Sequence, residues 1–227
     1  MSLYLLIFDC DGTLIDSRKS IVEVATMVIE QFQLPMPDDA RILETVGLSL
    51  PQAIEHLFPH EPESLILEMS DAYKGAFMQM RAEERIVDPL YDGASSLLQD
   101  LYGYDHVFLG IATGKARRGV NAEFERLDID IRKFSTIQTA DVAASKPHPD
   151  MIDRAMRETG IDRDNTFMIG DTSYDMQMAR SAGVHPIGVN WGYHKQSELQ
   201  QAGARDIVQN YGELSELIDA LLDLKSG

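Results

Sequence analysis

The chain has 227 residues, 44% hydrophobic and 25% charged, and its 37 Asp and Glu against 20 Lys and Arg give a formal charge of -17. This composition excludes wholesale disorder and supplies apolar material for one large core or for two unequal domains. The acidic balance argues against nucleic acid or an anionic membrane as the main partner, because Lys and Arg grip those phosphates. A small phosphorylated ligand stays open, since a few local cations and a bound metal can invert the field inside one cleft. No apolar stretch approaches the roughly 18 residues that a membrane span needs, and Met1 to Phe8 is too short, and lacks the basic flank, for a signal peptide. The single Cys10 cannot form an intramolecular disulfide. A cytoplasmic protein is expected.

Leu5 to Phe8 is an unbroken apolar run that leads into Asp9-Cys10-Asp11-Gly12-Thr13-Leu14. Such a run reads as a strand buried on both faces of a parallel sheet. Two carboxylates therefore stand at its carboxyl end, the edge where open α/β sheets bind ligands. Asp9 and Asp11 share one face while Cys10 points to the other, and Gly12 allows the tight turn behind them. Neighbouring anions repel unless a cation or shared proton intervenes, so the pair suggests bound Mg²⁺ or a nucleophile beside a proton donor.

From Ser17 to about Glu84 the pattern is helical, with Ile21, Val24, Ala25, Val28, Ile29 and Phe32 on one face. Leu34-Pro35-Met36-Pro37 ends that helix, Asp38 or Asp39 can cap the next, and Leu65 to Arg81 suggests a longer one. From Asp88 onward strands and helices alternate. His106 to Ala112, Thr166 to Ile169, His185 to Val189 and Ile207-Val208 read as strands. Ala116 to Arg126, Met176 to Ser181 with Gly183 as C-cap, and Leu214 to Leu224 read as helices. This order predicts an α/β fold, a doubly wound parallel (Rossmann-like) sheet with an all-helical block inserted after the first strand. The core comprises residues 1–16 and 87–227 and the cap 17–86, with hinges near Leu14 to Ser17 and Ile86 to Pro89.

Further candidate groups fall at strand ends. Thr113-Gly114-Lys115 offers a hydroxyl, a close-approaching backbone N–H and a helix N-terminus for phosphate oxygens, although Thr-Gly also makes an ordinary capping turn. Lys146 lies just outside a helix whose first turn suits Pro149, free to reach a carboxylate or phosphate or simply to be solvated. Gly170-Asp171 closes another buried strand and Asp175 follows near the next helix start. Either could serve a helix terminus, but with Asp9 and Asp11 they make four carboxylates at two strand ends. Oxygen ligands of this kind suit Mg²⁺, which keeps room for water and phosphate. Cys10 reads as a small core residue, because an anionic neighbourhood raises a thiol pKa. His148, His185 and His194 show no metal-ligand spacing and receive no catalytic role.

Asp9-Cys10-Asp11-Gly12-Thr13, Thr113, Lys146 and Gly170-Asp171 with Asp175, in that order, resemble the four motifs of the haloacid dehalogenase superfamily on its phosphatase branch. The helical block resembles the small cap of those enzymes, and Gly188-Val189-Asn190-Trp191-Gly192-Tyr193 is similar to phosphoglycolate phosphatases. The resemblance implies that Asp9 attacks phosphorus to form an aspartyl-phosphate and that Asp11 acts as acid and then base. It implies Mg²⁺ held by Asp9, the main-chain carbonyl of Asp11 and Asp171 with Asp175 in support, and phosphate held by Thr113, Gly114 and Lys146. A small phosphorylated metabolite is the implied partner.

Alternatives on the same scaffold are a dehalogenase, an inorganic pyrophosphatase, a β-phosphoglucomutase-like phosphosugar mutase, or a non-enzymatic binding module. A dehalogenase lacks the second Asp that stands here as Asp11. A mutase tends to carry an aliphatic residue at Thr13 and a cap His at Ile21, and the survival of every acidic position disfavours a mere binding module. Phosphoglycolate phosphatases commonly place Asn at Gly114. The loop Val46-Gly47-Leu48-Ser49-Leu50, similar to their specificity loop, has no cation nearer than Arg41; phosphoglycolate would want a cap Arg or Lys for its carboxylate, a contact that pyrophosphate or a neutral sugar phosphate does not need.

Overall fold

The computed structural model describes residues 2–222. The first strand, β1 (Tyr4–Phe8), forms where the sequence places it, and Leu5 through Phe8 are fully buried. Its alternate residues enter different cores. Leu6 and Phe8 pack with Leu109, Ile111 and Ile169 on one face, while Leu5 and Ile7 pack with Met151, Met168 and Met178 on the other. Burial of each such side chain contributes about 1.5–3 kcal/mol, so β1 is the spine of the molecule.

After β1 the chain leaves the sheet for four helices, α1 (Arg18–Gln31), α2 (Asp39–Leu43), α3 (Leu50–Leu57) and α4 (Glu63–Ala82). Val24, Ala25, Val28 and Ile29 of α1 enclose a separate apolar cluster with Ile42, Ile54, Ile66, Met69, Met80 and Ile86, and Ile21 and Phe32 pack at its margin. Asp38 caps α2 by accepting from the Arg41 backbone N–H at 2.8 Å. The two connections between this block and the sheet run side by side. The Asp16 N–H donates to the Pro89 carbonyl (2.9 Å), the Tyr91 N–H donates to the Leu14 carbonyl (3.0 Å), and Ser20 Oγ donates to Asp88 (2.6 Å).

The remainder runs α5 (Ala94–Leu101), β2 (Val107–Thr113), α6 (Arg117–Arg126), β3 (Phe134–Thr139), α7 (Asp150–Thr159), β4 (Thr166–Gly170), α8 (Ser173–Ala182), β5 (His185–Val189), α9 (Gln196–Ala202), β6 (Asp206–Val208) and α10 (Tyr211–Leu222). Among the described residues the strands form one parallel sheet in the order β3-β2-β1-β4-β5-β6. The order reverses beside β1, and the crevice of a doubly wound sheet opens at that switch point. No helix among the described residues is long and apolar enough to cross a membrane.

Several elements depart from sequence expectation. Strand β3 reads Phe-Ser-Thr-Ile-Gln-Thr and lacks an apolar run, yet it is mostly buried. Its polar groups are satisfied across the layer, with Thr136 Oγ1 and Gln138 Nε2 both donating to Glu158 Oε2 of α7, at 2.5 and 2.8 Å. Helices α5 and α9 were not expected. Helix α8 begins three residues early because Thr172 caps it in a reciprocal box with Asp175, and Pro149 stands at the N-cap of α7 and not inside its first turn. Gly183 takes the expected left-handed C-cap, at φ 74°. The last helix starts three residues earlier than expected, and residues 223–224 of that expected helix lie outside the described residues.

Candidate active site

The carboxyl ends of β1 and β4 bring Asp9, Asp171 and Asp175 together, all buried, each with one carboxylate oxygen within 4.8 Å of those of the others. Lys146, fully buried, reaches in from the loop between β3 and α7, its Nζ 2.8 Å from Asp9 Oδ2 and 2.6 Å from Asp175 Oδ1. Asp171 accepts from Thr13 Oγ1 (2.8 Å) and from the Tyr193 backbone N–H (2.9 Å), while Asp175 Oδ2 accepts from Thr172 Oγ1 (2.6 Å). Gly12, at φ 80°, turns the chain so tightly that a side chain there would collide with the Asp171 carboxylate.

Three buried carboxylates against one ammonium leave excess negative charge. Burial raises the Asp9 pKa, Lys146 opposes that rise, and Asp175 adds to it, with a result of about 7. Burial, then Asp175 and Asp9, push Asp171 well above the carboxylate range. For Lys146 burial opposes the charge, but the attraction of Asp175 and Asp9 outweighs it and the pKa is raised. An oxygen-only donor set with surplus negative charge fits a hard divalent cation such as Mg²⁺.

The Asp11 carboxylate turns away from this trio. Its Oδ1 lies 2.8 Å from Lys115 Nζ and also accepts from Ser17 Oγ, which leaves its main-chain carbonyl as the group it could offer a metal. Ser17 Oγ is also 3.0 Å from the Tyr193 hydroxyl. Thr113 is buried and its Oγ1 accepts from the Lys115 backbone N–H at 3.2 Å in a local turn, but it does not cap α6, whose N-cap is Ala116 with no side-chain hydrogen bond. Gly114 meets the helical insertion, where a Cβ would stand 3.0 Å from the Gly47 carbonyl oxygen and closer still to that of Leu48. Nearby, the Ser49 N–H donates to Ser145 Oγ (2.7 Å). His194 Nδ1 accepts from the Ser173 N–H (3.1 Å), which puts the ring proton on Nε2, facing the Glu44 carbonyl at 3.1 Å. The loop of residues 44–49 thus sits over the sheet edge. Arg41 is exposed.

Cys10 is fully buried in the apolar core, and burial, reinforced by Asp9 and Asp11, raises its thiol pKa. Lys115, Ser17, Thr13, Tyr193 and Glu123 escaped the sequence reading as site residues. The Lys115 charge stood beside Thr113-Gly114 in plain view, but its direction is a tertiary fact. Trp191 Nε1 (3.1 Å) and the Tyr211 hydroxyl (2.7 Å) both donate to the Thr13 carbonyl, which braces the turn after β1 from the far end of the chain.

A doubly wound parallel sheet with three buried carboxylates and a buried lysine gathered at its switch point has the donors to hold a hard cation and a phosphorylated ligand. The family model for haloacid dehalogenase-like hydrolases matches residues 6–189, and the chain belongs to that family. It is 33% identical to "Probable phosphatase IndB" of Dickeya dadantii, over 98% of this chain and 96% of that one. It is 26% identical to a phosphoglycolate phosphatase of Shigella boydii, over 94% and 90% of the two chains. A crystal structure described as a predicted phosphatase from Clostridium acetobutylicum superposes with a TM-score of 0.85 at 30% identity, covering 96% of this chain and 99% of that one. The protein is a phosphoric monoester hydrolase of the haloacid dehalogenase-like class.

Proposed function

We propose that this phosphatase requires Mg²⁺ and hydrolyses small phosphomonoesters through an aspartyl-phosphate on Asp9. The convergence of Asp9, Asp171 and Asp175 beside Lys146 carries the proposal. Asp9, Asp171 and Asp175, with the main-chain carbonyl of Asp11, would hold the metal. When bound, Mg²⁺ supplies positive charge between the Asp9 carboxylate and the phosphoryl oxygens and keeps Asp9 ionised.

The chain's own groups carry the steps. An Asp9 oxygen forms a bond to phosphorus as the ester P–O bond breaks, and the departing oxygen takes a proton from Asp11. Asp11 then accepts a proton from water as that water attacks the phosphoryl group, releasing phosphate and restoring Asp9. Lys146 keeps Asp9 and Asp175 in register, and Thr113 with the Gly114 N–H receives phosphoryl oxygens. Residues 17–86 act as a lid on a core of residues 1–16 and 87–227, moving at residues 14–17 and 86–89 to admit substrate and exclude water.

Phosphoglycolate is the first substrate to test, by similarity to the Shigella enzyme. The exposure of Arg41 and the lack of a cation in the 46–50 loop favour pyrophosphate or a neutral sugar phosphate as the second. Hydrolysis is preferred to phosphosugar transfer because Thr13 is committed to Asp171 and Ile21 packs among the lid's apolar side chains. The test is phosphate release from a panel of small phosphoesters and pyrophosphate, with and without Mg²⁺, together with interconversion of hexose phosphates. Mg²⁺-dependent release, lost in Asp9→Asn, supports the proposal. Metal-independent release, or a mutase rate well above hydrolysis, overturns it.

A further inference from the structure

Glu123 lies on α6, on a face that otherwise buries Val120 and Phe124, and its side chain is 1% exposed. Three cations surround it, with Lys115 Nζ at 3.0 Å, Arg126 Nη2 at 3.5 Å and Arg81 Nη2 at 3.7 Å. They come from the turn after β2, from its own helix and from α4 of the insertion. Burial opposes ionisation of Glu123, but Lys115, Arg81 and Arg126 outweigh it and hold the carboxylate in its charged form. An apolar side chain would pack on this face without the cost of removing a charge from water. The carboxylate is therefore expected to do something that packing does not.

Lys115, the nearest of the three cations, also stands 2.8 Å from Asp11 Oδ1. Its Nζ lies 5.6 Å from the centre of the Phe77 ring on α4, and the Arg81 guanidinium lies 5.4 Å from the same ring. A line of alternating charge thus runs Arg81, Glu123, Lys115, Asp11, from the insertion to the proposed acid and base. Arg81 and Lys115 share one carboxylate. Loss of Arg81 would strengthen the pull of Glu123 on Lys115, away from Asp11, and docking of Arg81 would relieve it.

We propose that Glu123 is a positioning residue for the phosphatase reaction: it fixes Lys115 against Asp11 and, by receiving Arg81, makes that placement depend on the helical insertion being docked on the core. This rests on the role given to Asp11 above. The test combines steady-state kinetics and thermal melts of Glu123→Gln, Glu123→Asp, Arg81→Gln and the Arg81→Gln/Glu123→Gln double variant. Misplacement of a group by about 1 Å can cost a hundredfold, so Glu123→Gln is expected to lower kcat about thirtyfold with KM within about threefold, and Glu123→Asp to recover most of the loss. Arg81→Gln is expected to lower kcat/KM about fivefold in the wild-type background and to add nothing in the Glu123→Gln background.

Wild-type kcat in folded Glu123→Gln overturns the proposal even if its melting temperature falls, as does an Arg81→Gln loss that persists in the double variant. If Glu123→Gln does not fold, an unchanged kcat/KM in Arg81→Gln overturns it. If the wild-type protein turns over no ester of the panel, the reaction assignment fails separately, and hydrogen exchange of residues 63–82 decides this one. Faster exchange in Arg81→Gln supports the docking contact, and unchanged exchange overturns it.

Discussion

Lys146 faces two carboxylates and lies fully buried between them, so its removal leaves both without a buried countercharge. Lys146→Met is expected to cost about 3–5 kcal/mol of stability in the metal-free protein by denaturant unfolding, as breaking a buried pair does elsewhere. Asp9→Asn has the opposite character. It removes one of three crowded carboxylates and leaves Lys146 paired with Asp175, so the fold persists while phosphate release falls about a thousandfold or more. Circular dichroism beside the phosphate assay separates the two outcomes. Cys10 neighbours the same carboxylates in sequence, yet it is sealed in the core with a raised thiol pKa. A chromogenic disulfide reagent should leave the native protein unmodified and titrate one thiol once it is unfolded. Rapid reaction of the native protein would show that this part of the core opens.

The contacts that shape the site also act through whole elements. The Gly47 and Leu48 carbonyls of the insertion pack on Gly114 at the end of β2, where there is no room for a methyl group. Gly114→Ala is expected to hold the 44–49 loop away from the sheet edge, lowering kcat/KM about tenfold and speeding proteolysis of that loop, because a Cβ pressed against the Leu48 carbonyl oxygen forces the backbone there to shift. An unchanged kcat/KM would mean that docking of this loop is not needed for turnover. The Asn common at this position in phosphoglycolate phosphatases would meet the same obstruction in this arrangement. Strand β1 pairs with β2 on one side and β4 on the other, and Phe8→Ala, which opens a cavity in a fully buried cluster, is expected to cost about 3–5 kcal/mol.

Over the whole molecule the excess of buried negative charge couples stability to pH and metal. In the folded protein Asp9 has a pKa of about 7, against 3.8 when unfolded, and Asp171 shifts in the same direction. The folded state thus binds more protons between these values, so this contribution is full below pH 3.8 and is lost as pH rises through about 7. Without metal the melting temperature is expected to fall from pH 5 to pH 7.5. Mg²⁺ competes with those protons, so a concentration at a hundredfold excess over Kd at pH 7.5 should stabilise by about 2.7 kcal/mol there and by less at pH 5.5. Calorimetry at both pH values, with and without Mg²⁺, checks this. Equal Mg²⁺ effects at the two pH values would place the bound ion away from Asp9 and Asp171.

The strand-end carboxylates, the helical insertion and the parallel sheet were legible because each depends on local spacing: an apolar run of strand length, a three-and-four helical repeat, and acids at predictable strand ends. Strand β3 was not, because its burial depends on Glu158 accepting from Thr136 and Gln138 across a layer. The sequence by itself determined which residue types arrive at the switch point. The tertiary structure alone decided how they divide, with Asp9, Asp171 and Asp175 gathered around Lys146, and Asp11 turned to Lys115, which Glu123 links in turn to Arg81 of the insertion. The reason is physical: strand alternation and helix periodicity fix which face a side chain leaves from, but the pairing of buried charges depends on partners that are distant in sequence and meet only when the layers close.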